Sequence, residues 1–496
     1  MLKSNPKWGA RDRAFIAETT YDIVRNFRLL AELLGYRPKT EADFYKIFAI
    51  WRIIRNEGLP EWEEFKGLDP MEIRKKKRKL FEDRRTRESI PNWLDTIGEA
   101  ELGPLWEPTL AALNEQARLV VRTNTLRVER GNLQKILAKE EIESRPLGDD
   151  GLLIEKRTNL FRTEAFKEGF FEIMDFSSQQ VAPFLGVEPG MRVVDACAGG
   201  GGKTLHLAAL MGNKGRILAL DTEAWKLEEL RKRARRALSS IIETREIDTT
   251  KVIKRLYGTA DRLLLDVPCS GLGVLRRNPD AKWKLNLDFI DRVRATQQEL
   301  LQHYSPIVKP GGRMVYATCS ILPSENENQV QKFLQSRAGA QFSLIKERRI
   351  LPQEAGFDGF YMALLERKAD ENAPKSEVVK KQVTEVKPKP IKAEKAENHA
   401  GFPLKIVKRE VEIEKIDQKP IETPAEIPVE KPKRKAKSAT IPAVEANEPS
   451  PEILPEKPKR KSKKAIAVEP ETEPVEPEIL AEKVTAKKPR KPKSDS

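Results

Sequence analysis

The chain is poor in cysteine, histidine and aromatic residues. Of its 496 residues, three are cysteine, three are histidine and 6% are aromatic. So few thiols, and an odd number of them, exclude a disulfide framework and point to a reducing compartment. No histidine stands in ligand spacing with Cys197, Cys269 or Cys319, which argues against a zinc site, and no other metal is expected. Long apolar runs are missing too. No stretch approaches the roughly 20 apolar residues that span a bilayer. Met1 to Arg13 is polar and basic, unlike a secretory leader. These absences predict a cytoplasmic protein with no membrane contact.

Charge, by contrast, is plentiful and unbalanced. The chain carries 91 Lys and Arg against 76 Asp and Glu, a formal net charge of +15. An excess of that size favours a polyanionic partner, and nucleic acid is the commonest. One basic run, Arg74 to Lys79 and then Arg84, Arg85 and Arg87, reads either as a solvated helix face or as a phosphate-binding one.

Periodicity divides the chain into four parts. Residues 1–112 are helical in pattern. Ile16, Thr20, Ile23, Phe27, Leu30 and Leu34 predict one helix over 13–34, stopped by Gly35. Residues 113–185 are mixed, with a strand in 119–127, then a strand and a helix in 169–185 capped by Asp175 or Ser177. Residues 186–368 alternate strand and helix. Strand cores are predicted at 192–196, 216–220, 262–266, 312–317 and 360–365, and helices at about 203–211, 223–239 and 288–308. Alternation of this kind predicts an α/β, Rossmann-like parallel sheet whose ligands bind at the carboxyl ends of the strands. Residues 369–496 are rich in Lys, Pro and Glu. They repeat with a 26-residue period, EKPKRKAKSA at 430–439 returning as EKPKRKSKKA at 456–465. Such a segment buries too little apolar surface to offset the entropy of ordering, so a disordered tail is expected.

The loop VVDACAGGGGKT at 193–204 joins a strand to a helix through four glycines. Gly199, Gly200, Gly201 and Gly202 let a ligand approach the backbone, and the helix N-terminus offers free N–H groups. A phosphate-binding P-loop needs a glycine where Cys197 stands. Asp195, at the strand end, repels phosphate but suits an ammonium group. Asp221 ends the next predicted strand, where a carboxylate can accept ribose hydroxyls. The pair favours S-adenosylmethionine over NAD or ATP.

LLLDVPCSGLG at 263–273 places Asp266 and Cys269 at a predicted strand end, and GGRMVYATCS at 311–320 does the same for Cys319. Two thiols at strand ends, each followed by serine, are hard to explain by packing alone. Carbon 5 of cytosine is a poor nucleophile, but a thiolate adding at carbon 6 turns the ring into an enamine that can attack a methyl group. An acid near ring N3 eases that addition. A second thiol can help remove the proton from carbon 5.

DACAGGGGKT, DVPCSGLG with RRNPDAKW, and YATCS with PSENE resemble the signature motifs of the Sun/Nop/RsmB-type RNA cytosine-5 methyltransferases. DGFYMALLER at 358–367 resembles the closing strand of their catalytic domain. RTNTLR and GFFEIMDFSS resemble their small RNA-binding subdomain, and 13–112 is similar to a NusB-like helical domain. The resemblance covers about 1–367. It implies Cys319 as nucleophile and Cys269 as the residue needed for enzyme release, while Asp266, at its strand end, is the candidate acid beside the reacting base. The resemblance also implies cofactor contacts from Cys197, Ala198, the four glycines, Lys203, Asp221 and Asp266, with Asp248 a candidate on the adenine side. Two departures stand out: Gly199 and Gly200 replace alanine and proline, and Met174 replaces glutamine. The expected activity is methyl transfer to RNA, ribosomal RNA above transfer RNA, by a monomer. A DNA methyltransferase would instead use Cys269 as nucleophile, and a non-catalytic assembly factor would need neither thiol.

Truncation after Arg367 should leave methylation active and site choice unchanged. If the tail's basic clusters attract phosphates, truncation also flattens the salt dependence of RNA binding. Binding isotherms at several salt concentrations, for both lengths, check this, and identical slopes would remove the RNA role of the tail.

Overall fold

The computed structural model describes Asn5 and residues 7–369. The repeat tail expected at 369–496 therefore lies, past residue 369, outside the described residues.

A small antiparallel sheet follows the helices that occupy Ala10 to Leu113. It comprises β1 (Leu119–Thr123), β2 (Ser144–Leu147), β3 (Gly151–Ile154) and β4 (Phe171–Ile173), in the order β2-β3-β1-β4. Helices Arg130–Lys139 and Glu164–Lys167 complete a β-α-β-β-α-β run. One face of the sheet, Val121, Leu152, Ile154 and Phe171, closes on Leu133 and Leu137 of the first helix.

The large sheet has β5 (Arg192–Asp195), β6 (Arg216–Asp221), β7 (Ile242–Glu246), β8 (Ala260–Asp266), β9 (Val308–Thr318), β10 (Phe342–Ile350) and β11 (Phe360–Arg367), in the order β10-β11-β9-β8-β5-β6-β7. Its inner strands are apolar throughout because helices cover both faces. In β11, Tyr361, Ala363 and Leu365 join the core on one face, and Phe360, Met362 and Leu364 join the core on the other.

All five predicted strands are present, but the sheet is not wholly parallel. β7, β6, β5, β8 and β9 are parallel, whereas β11 pairs antiparallel with both β9 and β10. The pattern did not announce β7 or β10, and these are the two edge strands. Each is half-covered and charged, IETRE and FSLIKERRI, as edges that resist further pairing tend to be. They therefore lack an apolar run.

The helix predicted over 13–34 is two helices, Ala10–Arg25 and Phe27–Leu34, broken at Asn26 and ended by Gly35 with φ +93°. Both sides of the break are held from elsewhere in the chain. Ser89 Oγ accepts from the N–H of Arg28 at 2.8 Å and of Leu29 at 3.4 Å. Trp283 Nε1 donates to the Val24 carbonyl at 2.8 Å, and Lys282 Nζ to that of Arg25 at 2.7 Å. Groups that would bond to each other in a continuous helix thus find better-placed partners. Leu272, Leu275, Ile290 and Ile321 pack with Ile90, Leu94, Trp106 and Leu110, so the helical region shares a core with the loops after β8 and β9 and with helix Leu287–Tyr304.

Much of the basic run is already engaged. Arg84 pairs with Asp95 and Glu99, Arg85 with Asp83, and Arg87 with Glu88 and Glu107. Its first half lies on helix Pro70–Leu80, where Arg78 and Lys79 are exposed.

Ser89→Ala leaves two N–H groups at the helix break without their acceptor. Stability should fall by about 1–3 kcal/mol, the cost of unpaired buried donors. Denaturant unfolding checks it, and an unchanged midpoint would show that the break does not rest on Ser89.

Candidate active site

Parallel strands bring their last residues to one edge. Asp195 ends β5, Asp221 ends β6, Asp266 ends β8, and Cys319 directly follows β9. Of the expected residues, all but Asp248 are tied into a connected group there.

The glycine loop leaves β5 and enters helix Gly202–Leu210. It is pinned across to β6. The N–H of Ala198 bonds the Leu220 carbonyl, and the N–H of Gly199 bonds Asp221 Oδ2, each at 2.9 Å. The other oxygen of Asp221 accepts the N–H of Glu223 at 2.9 Å. Arg233 reaches the Gly200 carbonyl, and the same guanidinium pairs with Glu172 of β4 at 2.9 Å. The small sheet is thus bonded to the loop. Gly201 is required where it stands: φ is +84°, and a Cβ there would lie 2.0 Å from Leu230 Cδ1. Gly199 has φ +53° and open space around a notional Cβ. The departure from alanine therefore permits a left-handed backbone, and the Asp221 bond counters the added freedom.

Asp195 is buried and accepts a hydrogen bond from Thr204 Oγ1 at 2.7 Å, while its Oδ1 is buried without a partner. Burial lifts its pKa to about 7, against the Thr204 bond and with help from the charge of Asp266. Lys203 Nζ lies 2.6 Å from Asp266 Oδ2 and 5.0 Å from the Phe360 ring centroid. Burial works against this ammonium group, but Asp266 more than offsets it, and the Lys203 pKa lies above the usual lysine value.

The three thiols are not equivalent. Burial, then the charges of Asp195, Asp266 and Asp221, push the Cys197 pKa well up, so it stays a neutral thiol. Cys269 and Cys319 have their sulfurs 3.2 Å apart. The hydrogen bond with Cys319, then burial, push the Cys269 pKa up, and the charge of Glu325 adds to the effect.

Asp248 is the exception. It lies two residues past β7, exposed, with its side chain bonded to Thr249 Oγ1 at 3.3 Å. Its neighbour Ile247 bonds the Asp221 carbonyl at 2.9 Å through the backbone, which keeps the segment beside β6.

Sequence reasoning missed Glu325. This fully buried carboxylate accepts from the hydroxyls of both serines that follow the cysteines, Ser270 at 2.5 Å and Ser320 at 2.6 Å. The signal was present in two places, the serine after each cysteine and the acidic residues of PSENE. RRNPDAKW also turns out to be a latch. Arg277 pairs with Asp175 at 2.7 Å and Asp358 at 2.6 Å, and Lys282 and Trp283 hold the helix break.

Residues 182–366 match the family described as 16S rRNA methyltransferase RsmB/F, and residues 90–160 match its ferredoxin-like domain. Over 303 residues the chain is 33% identical to ribosomal RNA small subunit methyltransferase B of Pseudomonas syringae pv. tomato, covering 58% of this chain and 67% of that protein. It is 35% identical to the Synechocystis counterpart over 298 residues, 56% of this chain and 67% of the relative. The chain belongs to the RsmB/F methyltransferase family. A methyltransferase homologue from Pyrococcus horikoshii has a similar structure, with TM-score 0.52 and 25% identity over 57% of this chain and 98% of that one. NSun6 from P. horikoshii, solved with the S-adenosylmethionine analogue SFG, shares the fold with TM-score 0.53 and 20% identity, over 57% of this chain and all of that one. As a member of the RsmB/F family, the protein is an S-adenosylmethionine-dependent RNA cytosine-5 methyltransferase.

The site fits that cofactor. The unpartnered Oδ1 of Asp195 can receive a cationic amino group, and open space beside Gly199 admits a ligand against the backbone.

Asp195 gives a pH-dependent test. Its folded pKa, about 7, lies above the unfolded aspartate value, so the fold keeps a proton that the unfolded chain has lost. Stability therefore falls as pH rises from the ordinary aspartate range to about 7, and then levels. Asp195→Asn removes that loss. Its melting temperature should gain more on the native protein at pH 8 than at pH 4, while S-adenosylmethionine affinity drops roughly 10- to 100-fold. Equal gains at both pH values, or unchanged affinity by calorimetry, would refute the assignment.

Proposed function

We propose that the protein methylates carbon 5 of a cytosine in ribosomal RNA through a covalent adduct between Cys319 and carbon 6 of the ring. The observation that carries this reading is the Cys269–Cys319 pair, 3.2 Å apart, at the ends of neighbouring strands beside the Lys203–Asp266 pair. The ribosomal target rests on the names of the relatives.

S-adenosylmethionine, when bound, supplies the electrophilic methyl group. Asp195, the 197–203 loop, Asp221 and Asp248 would hold it. The chain does the rest. Cys319 Sγ adds to carbon 6 while the Lys203–Asp266 pair hydrogen-bonds ring N3, and the electron pair moves to carbon 5. Once carbon 5 carries the methyl group, Cys269 Sγ, its own proton first given up to water, takes the carbon 5 proton. The carbon 5–carbon 6 double bond then re-forms and expels Cys319. A base inside a helix cannot be reached this way, so the target is a loop or flipped nucleotide. Arg78 and Lys79 on their helix are exposed cations suited to phosphates. A cleft of about 640 Å³ that includes Phe15, Tyr21, Arg55 and Arg157 adds aromatic rings and further arginines. The proposed setting is the cytoplasm, which keeps the three free cysteines reduced, and the proposed unit is the monomer.

Cys319→Ala should abolish methyl transfer while cofactor binding survives. Cys269→Ala should instead accumulate an RNA–enzyme adduct, visible as a slow band on a denaturing gel and absent from the double variant. A band that persists in the double variant would show that Cys319 is not the attacking group.

A further inference from the structure

We propose that Glu325 is a positioning residue that sets the spacing of the two reactive thiols by clamping the serine next to each. This inference rests on the proposed role of the cysteines. It concerns a residue that touches neither of them.

The geometry is nearly symmetric about the carboxylate. Glu325 Oε1 accepts from Ser270 Oγ at 2.5 Å and from Ser320 Oγ at 2.6 Å, and the two hydroxyls lie 3.2 Å apart. Oε2 accepts from the Ser270 N–H at 2.8 Å and from Gln297 Nε2 at 3.1 Å. Gln297 also donates to the Pro268 carbonyl at 3.0 Å, so the clamp holds the residues on both sides of Cys269. On the other strand, Asn326 accepts from Thr318 Oγ1 at 2.5 Å and donates to the Ser320 carbonyl at 3.1 Å, which fixes both sides of Cys319. Each cysteine thus sits between two tethered residues, and the tethers converge on residues 325 and 326.

Packing alone does not call for a carboxylate here. Glu325 is fully buried, has no ion-pair partner among the described residues, and is satisfied by four donors. A buried charge in an apolar core is costly, and a hydrophobic residue could fill the same volume more cheaply. What such a residue could not do is bind two hydroxyls from two strands at once. Strand pairing ends at Asp266 and Ala317, and beyond it the loop after β8 meets the loop after β9 through two backbone bonds, Val267 N–H to the Ala317 carbonyl at 3.0 Å and Gly273 N–H to the Cys319 carbonyl at 2.9 Å, so Glu325 supplies the side-chain tie on the residues next to both thiols. Covalent catalysis tolerates little drift, since a misplacement of 1 Å can cost about 100-fold in rate.

The test uses the full-length enzyme and two readouts. One is kcat and KM on RNA. The other needs no RNA: the rate at which diamide, a thiol oxidant, joins Cys269 to Cys319 as a disulfide, which reports how often the two sulfurs meet. Glu325→Ala should lower kcat by about 100-fold, leave the KM for S-adenosylmethionine within about threefold, and slow disulfide formation by at least about tenfold. Glu325→Gln should largely rescue the disulfide rate. Its carbonyl can accept both N–H donors, and its amide can donate to the two serine hydroxyls, which rotate to accept. If Glu325→Ala does not fold, the double variant Ser270→Ala/Ser320→Ala keeps the N–H bonds to Glu325 and should show the same two losses. A wild-type disulfide rate in Glu325→Ala or, if that variant does not fold, in the double serine variant would overturn the clamp. So would a glutamine variant as slow as the alanine one. The disulfide rate stays informative even if Cys319→Ala proves active, so the clamp can fail or stand separately from the proposed chemistry.

Discussion

A parallel strand delivers its last residue to the same edge as its neighbour's, and the site depends on that constraint. Once β6, β5, β8 and β9 pair in parallel, Asp221, Asp195, Asp266 and Cys319 must share an edge. No long-range side-chain contact has to find them. The helices on both faces then close off water, which raises the cost of every unpaired charge collected there. The groups respond in different ways. Asp266 pairs with Lys203, Asp221 takes two backbone N–H groups, and Asp195 takes Thr204 and holds its proton to about pH 7. Of these three carboxylates Asp195 alone keeps a buried oxygen without a partner, and a cationic ligand would complete it.

The same crowding sorts the cysteines. Burial, with three carboxylates around it, keeps Cys197 a thiol. Cys269 is held up by the neighbouring sulfur and by burial. Cys319 faces it from the end of the next strand, with the two sulfurs 3.2 Å apart.

How much of this was legible in the sequence follows from burial. Strands covered on both faces must be apolar throughout, so β5, β6, β8, β9 and β11 stood out. β7 and β10 are charged because they are edges, and IETRE and FSLIKERRI carry no strand signal. The site acids and thiols were legible because each directly follows an apolar run. Glu325 was not, because it sits in a 3-10 turn after the strand, and its partners are short polar side chains from two loops. The break at Asn26 was hidden for a related reason. Residues 13–34 keep helical spacing throughout, and what interrupts them is Ser89, Lys282 and Trp283, far away in sequence. Local pattern reports local preference, and tertiary hydrogen bonds override it where they offer the same groups better partners.

Those distant partners also connect the two ends of the chain's working surface. The segment after Cys269, Ser270 to Trp283, is buried or half-buried apart from Asn278. Ser270 is held by Glu325, Leu272 and Leu275 pack under the helical region, Arg276 bonds the Ala112 carbonyl at 2.6 Å, and Lys282 and Trp283 hold the broken helix. Arg277 adds the small sheet's Asp175 and the β10–β11 turn's Asp358 to the same segment. The helical region, Asp175 just after the small sheet and Asp358 before β11 are therefore each bonded to the segment that follows Cys269. A close-packed interior transmits displacement, because it has no slack to absorb it. Glu325 holds the first residue of that segment through both its N–H and its hydroxyl, so a displacement carried along the segment meets the clamp before it reaches Cys269.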